Sequence, residues 1–446
     1  MTTIPLLLSL QEAAPAPTIV PADTAWMLIA TALVLLMTPA LAFFYGGLVR
    51  NKNSLNTMMM SFVALGVVGV TWAVAAYSLA FSEGGPWLGS LTNLGLAGVG
   101  TEAKGTIPHV LFMAYQGSFA IITAALISGA VVERMRFGPY VAFIALWTLL
   151  VYAPVAHWVW GGGWLMTRGV LDFAGGTVVH INAGVSALVA ALVLGSRKDY
   201  GRQAVLPHNV PFTLLGAGLL WFGWFGFNGG SALAANELAG LAFTNTFLAP
   251  MATLVVWTLL DYFRTGRATA VGGATGIVVG LVAITPAAGF VSPAGALVLG
   301  AVAALPSYFA IALRSRTRID DSLDVFAGHG VGGLTGALLT GVLAQKLWNP
   351  AGNDGLLYGN PGQLGVQALG SLSAALYAAV MTFVILRALS FVTALRVVAR
   401  TEGVGMDVSQ HGEEAYASGE GSILVPPEAA LEPEPVPAFT PQVAPR

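Results

Sequence analysis

Apolar positions along this chain fall into long unbroken runs, not into the short alternating or one-sided stripes of a soluble fold. A run of about 18–25 apolar residues crosses a hydrocarbon core of roughly 30 Å as a helix. Such runs are expected near 25–48, 57–80, 109–131, 138–159, 176–195, 210–229, 241–263, 270–287, 295–313, 326–344 and 366–390. Short segments rich in Gly, Pro and charge separate them. The expected fold is an all-α integral membrane protein with eleven transmembrane helices.

The basic residues orient it. Cytoplasmic loops are enriched in Lys and Arg, and with these spans one side collects fifteen, among them Arg50, Lys52, Arg134, Arg197, Arg314 and Arg396. The other side holds three, Lys104, Arg168 and Lys346, and Arg446 lies in the tail. The N-terminus is thus expected outside and the C-terminus inside. Residues 1–24 form an extracytoplasmic N-terminus whose apolar run Ile4 to Leu10 and following Ala13-Ala14-Pro15-Ala16 faintly resemble a cleaved signal peptide lacking a basic start. Residues 391–417 form a polar cytoplasmic segment, and 418–446 a Pro- and Glu-rich tail expected to be disordered.

Composition sharpens the picture. With 56% hydrophobic and 9% charged residues, the chain has too little polar surface to cover a soluble globule. A net charge of −2 gives no basic footprint for nucleic acid, and the absence of cysteine excludes disulfides and thiolate metal sites. The 55 glycines read as close helix packing.

Two spans carry ionisable groups. In the fifth, Asp172 heads a small-residue run and is a good helix N-cap, with His180 eight residues on, about 12 Å along the axis and near the bilayer midplane. In the tenth, Asp321 and Asp324 precede His329, which enters from the opposite face. This is the pattern of an inverted five-plus-five repeat, over about 25–195 and 210–344, with an extra span at 366–390. Buried ionisable side chains in a membrane face a partner or an aqueous path. The two histidines read best as a pair sharing one proton along a narrow pore. Each could instead be a packing residue bonded to a carbonyl. A metal site would need further ligands from His109, His157, His208 or His411, none at ligand spacing, so no metal or cofactor is expected.

Aromatic residues beside Gly-rich turns form a third group: Phe119 in the third span, Trp160 ending the fourth, and Trp224 and Phe227, followed by Ser231, closing the sixth. Most are ordinary belt residues. Some could line a vestibule where a small cation rests on π faces.

These motifs together resemble the ammonium transporter family. DFAGGTVVHINAGVSALVAALVLGSR at 172–197 resembles its signature, and WFGWFGFNGGSALAANELAGLAFTNT at 221–246 its sixth and seventh spans. AHWVWGGGWL at 156–165, GAVVERMRF at 129–137, DVFAGHGVGGLTG at 324–336 and GMDVSQHGEEAY at 405–416 follow in order, the last typical of the Amt/Mep branch and not the Rhesus branch. The resemblance implies that Trp160, Ser231 and Phe119 recruit ammonium, that Phe119 and Phe227 form a stacked gate, and that Asp172 orders the vestibule and favours the cation. It implies further that Trp224 lines the pore below and that His180 and His329 are the pore's twin histidines. Gly328 departs from the larger residue expected before the second His and bears on pore width. The family resemblance also implies a homotrimer in the cell membrane, and a PII-type nitrogen regulator at the inner mouth, coupled through Gly405, Asp407, His411 and Tyr416.

The expected mechanism is recruitment of ammonium, loss of its proton and passage of ammonia past the histidines, with or without a separate proton. An ammonium sensor with little flux, signalling through its tail, and a Rhesus-like gas channel for ammonia or carbon dioxide are the other readings. No nucleophile, metal set or cofactor loop points to an enzyme.

Overall fold

The computed structural model describes residues 18–416. The apolar run at 4–10 and the tail expected at 418–446 lie outside the described residues. Among the described residues, ten helices are long and apolar enough to cross a membrane: α1 (Pro21–Leu48), α2 (Asn51–Phe81), α3 (His109–Val131), α4 (Phe137–Thr167), α5 (Gly176–Leu194), α6 (Val210–Gly230), α7 (Glu237–Thr265), α9 (Pro293–Arg314), α10 (Phe326–Leu343) and α11 (Gly362–Val392). Between α7 and α9 lies the shorter apolar helix α8 (Ala270–Ile284). It stops short of the expected 270–287 because Pro286, two residues on, cannot continue it. With no water in the hydrocarbon, every main-chain group must be bonded within its own segment, so long apolar runs fold as helices.

Polar residues at the run ends start these helices. Asn209, Asn236, Thr269 and Ser292 accept from the main-chain N–H three residues on, at 3.0, 3.1, 3.0 and 3.0 Å, capping α6 to α9. Pro211 and Pro293 sit in the first turns of α6 and α9, where no N–H is needed.

The glycines set helix spacing. Along α6, a Cβ on Gly216 would lie 2.3 Å from Phe44 N, on Gly223 2.3 Å from Met37 Cγ, and on Gly226 2.6 Å from Leu33 Cβ. One small-residue seam thus lets α1 and α6 pack at backbone distance. The α5–α10 crossing is tighter: a Cβ on Gly184 would fall 2.2 Å from Gly330 N, and on Gly333 2.9 Å from His180 Cβ. Outward-facing Leu372, Leu376, Val380 and Phe383 of α11 are exposed, as expected of a lipid face.

At one face of the bundle, loops from both halves meet in a buried charge network. Glu133, fully buried, is 2.6 Å from Arg197 and 3.0 Å from Arg50, and accepts from Asn53 at 2.7 Å. Arg197 also holds Asp320 through Nε and Nη2, at 2.9 and 2.8 Å. Burial alone would raise the Glu133 carboxyl, but Arg197 and Arg50 outweigh it and hold the group at about 2. The final segment, α12 (Ala399–Val404) and α13 (Met406–His411), lies on this basic face.

Candidate functional site

The site is built where α5 and α10 begin. The Asp172 carboxylate accepts four main-chain N–H groups: those of Gly175 and Gly176 on Oδ1 at 2.9 and 2.6 Å, and of Thr177 and Val178 on Oδ2 at 2.8 and 3.1 Å. This exceeds the one or two bonds of a simple N-cap. The chain turns into the helix at Gly175, whose φ of 120° suits glycine. The first turn of α5, Gly176–Ile181, is a wider π turn, with His180 N bonded to Gly175 O. Helix α10 repeats the design. Asp321 accepts from Phe326 N at 2.7 Å, a π turn spans Phe326–Val331, and His329 follows Asp321 by the same eight residues that separate His180 from Asp172. Asp324 does something different: it pairs with Arg314, and burial pushes its carboxyl up to about 7 despite that partner.

The two π turns bring the imidazoles together. His180 Nδ1 lies 3.1 Å from His329 Nδ1, with ring planes 17° apart, and both rings are buried. His180 Nε2 has no protein partner. The Trp224 ring stacks over His180 at 5.4 Å, fixed by its indole N–H donating to Thr285 Oγ1 at 2.9 Å.

On the side away from the basic loops, Phe119 and Phe227 stack at 4.2 Å with planes 28° apart. Trp160 meets the Phe119 edge at 6.0 Å, and its indole donates to Asp172 O at 2.8 Å, joining the aromatic cluster to the carboxylate's loop. Ser231 Oγ donates to Phe227 O at 2.9 Å. All the expected aromatic residues and both histidines therefore lie along one path: Trp160 and Ser231, then the Phe119–Phe227 stack, then Trp224, His180 and His329.

Two cavities follow the stack. A narrow one of about 10 Å³, enough for roughly one water-sized molecule, is lined by Phe227, Trp224, His180, His329 and apolar neighbours such as Leu126 and Val278. A wide one of about 540 Å³ opens towards the basic face and is lined by His329, Gly328, Asp324, Arg314, Arg197 and Tyr200 among others. A Cβ on Gly328 would meet nothing within 4 Å, so the glycine leaves that side of His329 open and does not narrow it.

The four tail residues sit elsewhere, on the loops of the basic face. Gly405, at φ 126°, brings the chain against Lys52. Asp407 accepts from Leu55 N at 3.0 Å and Asn56 N at 2.7 Å, capping α2, and His411 Nε2 lies 3.0 Å from Asn56 Oδ1. The Tyr416 hydroxyl lies 3.1 Å from His208 Nε2. Among the described residues no group of three or more His, Asp or Glu is placed to hold a metal ion.

Sequence reasoning missed two supports. The Tyr115 hydroxyl sits 2.9 Å from Phe227 O and 3.3 Å from Ser231 Oγ, and Thr285 anchors Trp224. Both are ordinary residues, Tyr115 on α3 and Thr285 just past the end of α8, with no local signal.

Comparison with known proteins gives a consistent result. The family model described as Ammonium Transporter Family matches residues 25–416. The ammonium transporter of Aquifex aeolicus (strain VF5) is 50% identical over 402 residues, covering 88% of this chain and 93% of that protein. The crystal structure of Candida albicans Mep2 aligns with a TM-score of 0.79 at 38% identity, over 83% of this chain and 84% of that one. A structure titled Sensor Amt Protein aligns with a TM-score of 0.81 at 29% identity, over 87% and 98%.

Proposed function

This chain belongs to the ammonium transporter family, and from that premise we propose that it carries ammonium nitrogen across a membrane as ammonia, the ion losing its proton below the Phe119–Phe227 stack to the free imidazole nitrogen of the His180–His329 pair. The observation that carries this reading is the pair of facing Nδ1 atoms, 3.1 Å apart in a cavity of about 10 Å³. Two such nitrogens satisfy each other only with one proton between them. One Nε2 is then a donor and the other an acceptor, a lining that suits a neutral molecule with both N–H groups and a lone pair. A bare cation in the same apolar lumen would face a large desolvation cost.

Recruitment falls to the groups above the stack. Ser231 gives its proton to Phe227 O and keeps oxygen lone pairs for an N–H donor. The Trp160 and Phe119 faces favour a cation by about 1–2 kcal/mol each when desolvated. Asp172 adds negative charge beneath them. Stacked at 4.2 Å, the two Phe rings leave no room between them, so one must swing for each passage.

The basic face is read as cytoplasmic, which is supported by the fifteen-to-three division of basic residues between the two sides. The inverted repeat is supported by the matched eight-residue spacings from Asp172 to His180 and Asp321 to His329. A homotrimer in the cell membrane and closure by a PII-type regulator at the 540 Å³ cavity complete the reading, supported by the likeness of 405–416 to the Amt/Mep tail. The sensor reading draws on one neighbour's title, Sensor Amt Protein. Ammonium pulses on proteoliposomes holding the intact protein, with current and interior pH read together, separate the readings. A saturable signal is expected. Ammonia entry without saturation supports a gas channel, and silence in both readouts supports the sensor.

A further inference from the structure

Helix α11 supplies no residue to the lumen or to the cavity below it. It nevertheless carries two buried glutamines one turn apart, Gln363 and Gln367. A primary amide inside a membrane bundle is costly unless its groups are bonded, and those of Gln367 are. Its Oε1 accepts from Leu171 N at 2.7 Å and from Gln363 Nε2 at 3.3 Å, and its Nε2 donates to Leu171 O at 2.7 Å and Ala337 O at 3.2 Å. Gln363 Nε2 also donates to Gly169 O at 2.9 Å. The amide pairs with both main-chain groups of Leu171, as an adjacent strand would, and Leu171 directly precedes Asp172.

Packing holds the amide in place. A Cβ on Gly370 would lie 2.9 Å from Val170 Cγ2, and on Gly341 of α10 2.9 Å from Leu364 Cα. Helix α11 is therefore pressed against both the segment entering α5 and the helix that bears His329. On its far side Asp172 is anchored separately, by Trp160 on its carbonyl at 2.8 Å and by Phe173 N on Pro286 O at 3.1 Å.

We propose that Gln367, backed by Gln363, is a positioning residue for ammonium recruitment: its clasp on Leu171 sets where the Asp172 carboxylate sits relative to Trp160 and Ser231. The inference rests on the recruitment reading above. Loss of the clasp leaves the four N–H groups on Asp172 and the two far-side anchors intact. It frees only the approach to the carboxylate, so cation affinity changes more than folding does.

The test is the saturable current of proteoliposomes bearing the intact protein, Gln367→Met, Gln363→Met and Asp172→Ala. Of the four neutral hydrogen bonds that Gln367→Met loses to an apolar side chain of similar length, the two to Leu171 predict a rise of about tenfold in half-saturating ammonium, with maximal current per inserted protein within about twofold. Gln363→Met, which loses the bonds to Gly169 and Gln367 but keeps the clasp on Leu171, predicts about threefold and serves alone if Gln367→Met does not insert. A residue acting only in packing would lower inserted protein or maximal current and leave half-saturation where it was, and that result overturns the proposal. If Asp172→Ala abolishes the current while both glutamine variants saturate as the intact protein does, the positioning role alone fails. If Asp172→Ala has no effect, the recruitment reading fails and takes this inference with it.

Discussion

Replacing Asp172 by Asn separates a helix cap from a charge-bearing centre. At an ordinary N-cap, Asn serves about as well as Asp, so a capping role alone predicts a change of a few tenths of a kcal/mol. Here both carboxylate oxygens are used, Oδ1 for Gly175 and Gly176 and Oδ2 for Thr177 and Val178, at 2.6 to 3.1 Å. The amide keeps one oxygen and turns an NH2 towards the other two N–H groups. Hydrogen bonds to a charged acceptor are worth about 1.5–3 kcal/mol each, so losing two predicts destabilisation of about 3–6 kcal/mol. The site is almost closed to solvent, so screening recovers little. A denaturing-detergent titration of purified protein measures the stability change, and an ammonium-pulse current on the inserted fraction measures function. The expected outcome is a folded but weakened protein whose current is lost along with the negative charge. A variant as stable as the intact protein to within about 0.5 kcal/mol, with unchanged half-saturation, would refute both halves of the argument.

Other expectations follow from the charge network, the tail and the helix crossing. Glu133→Gln removes one of the two carboxylates that hold Arg197, leaving Asp320 in place, and is expected to cost about 1.5–3 kcal/mol, read by the same titration. Because Glu133 is held at about 2, below its unfolded value of about 4.3, its contribution is complete above pH ~4.3 and is lost as pH falls through about 2. The variant should lack that acid-side loss. Asp407 behaves oppositely: burial pushes it up to about 6, above its unfolded value of about 3.9. Its docking is favoured below pH ~3.9 and weakens as pH rises through about 6, so hydrogen exchange over 399–411, corrected for intrinsic rates, should be slower at pH 5 than at pH 8. Equal protection would contradict the assignment. Gly184→Ala places a methyl 2.2 Å from Gly330 N and forces α5 from α10, predicting about 1–3 kcal/mol lost stability and a current reduced at least tenfold, measured per inserted protein.

How much of this was legible in the sequence follows from the solvent each part meets. Lipid forces long apolar runs into helices, so hydropathy alone located each helix from Pro21–Leu48 to Gly362–Val392, with its largest misses at the start of α2 (57 against Asn51) and the end of α4 (159 against Thr167), and with the end of α8 overdrawn past Pro286. The two acidic helix starts were legible because Asp before a small-residue run is a local signal. The π turns at Gly176–Ile181 and Phe326–Val331 were not, since a one-residue widening leaves no composition mark. Nor could Asp321 and Asp324 be told apart: one caps a helix, while the other faces Arg314, ten residues upstream on α9. Tyr115, Thr285 and Gln367 act through partners more than fifty residues away, and their chemistry appears only once the helices are packed.

The central claim is that His180 and His329 share one proton and that charge crosses only by way of this pair. Its most direct test is the ammonium-pulse response of proteoliposomes carrying the protein with both histidines replaced by leucine, with current and interior pH recorded together. The account predicts that the current disappears while alkalinisation from ammonia entry persists. A current of undiminished size and saturation in the double variant would contradict it.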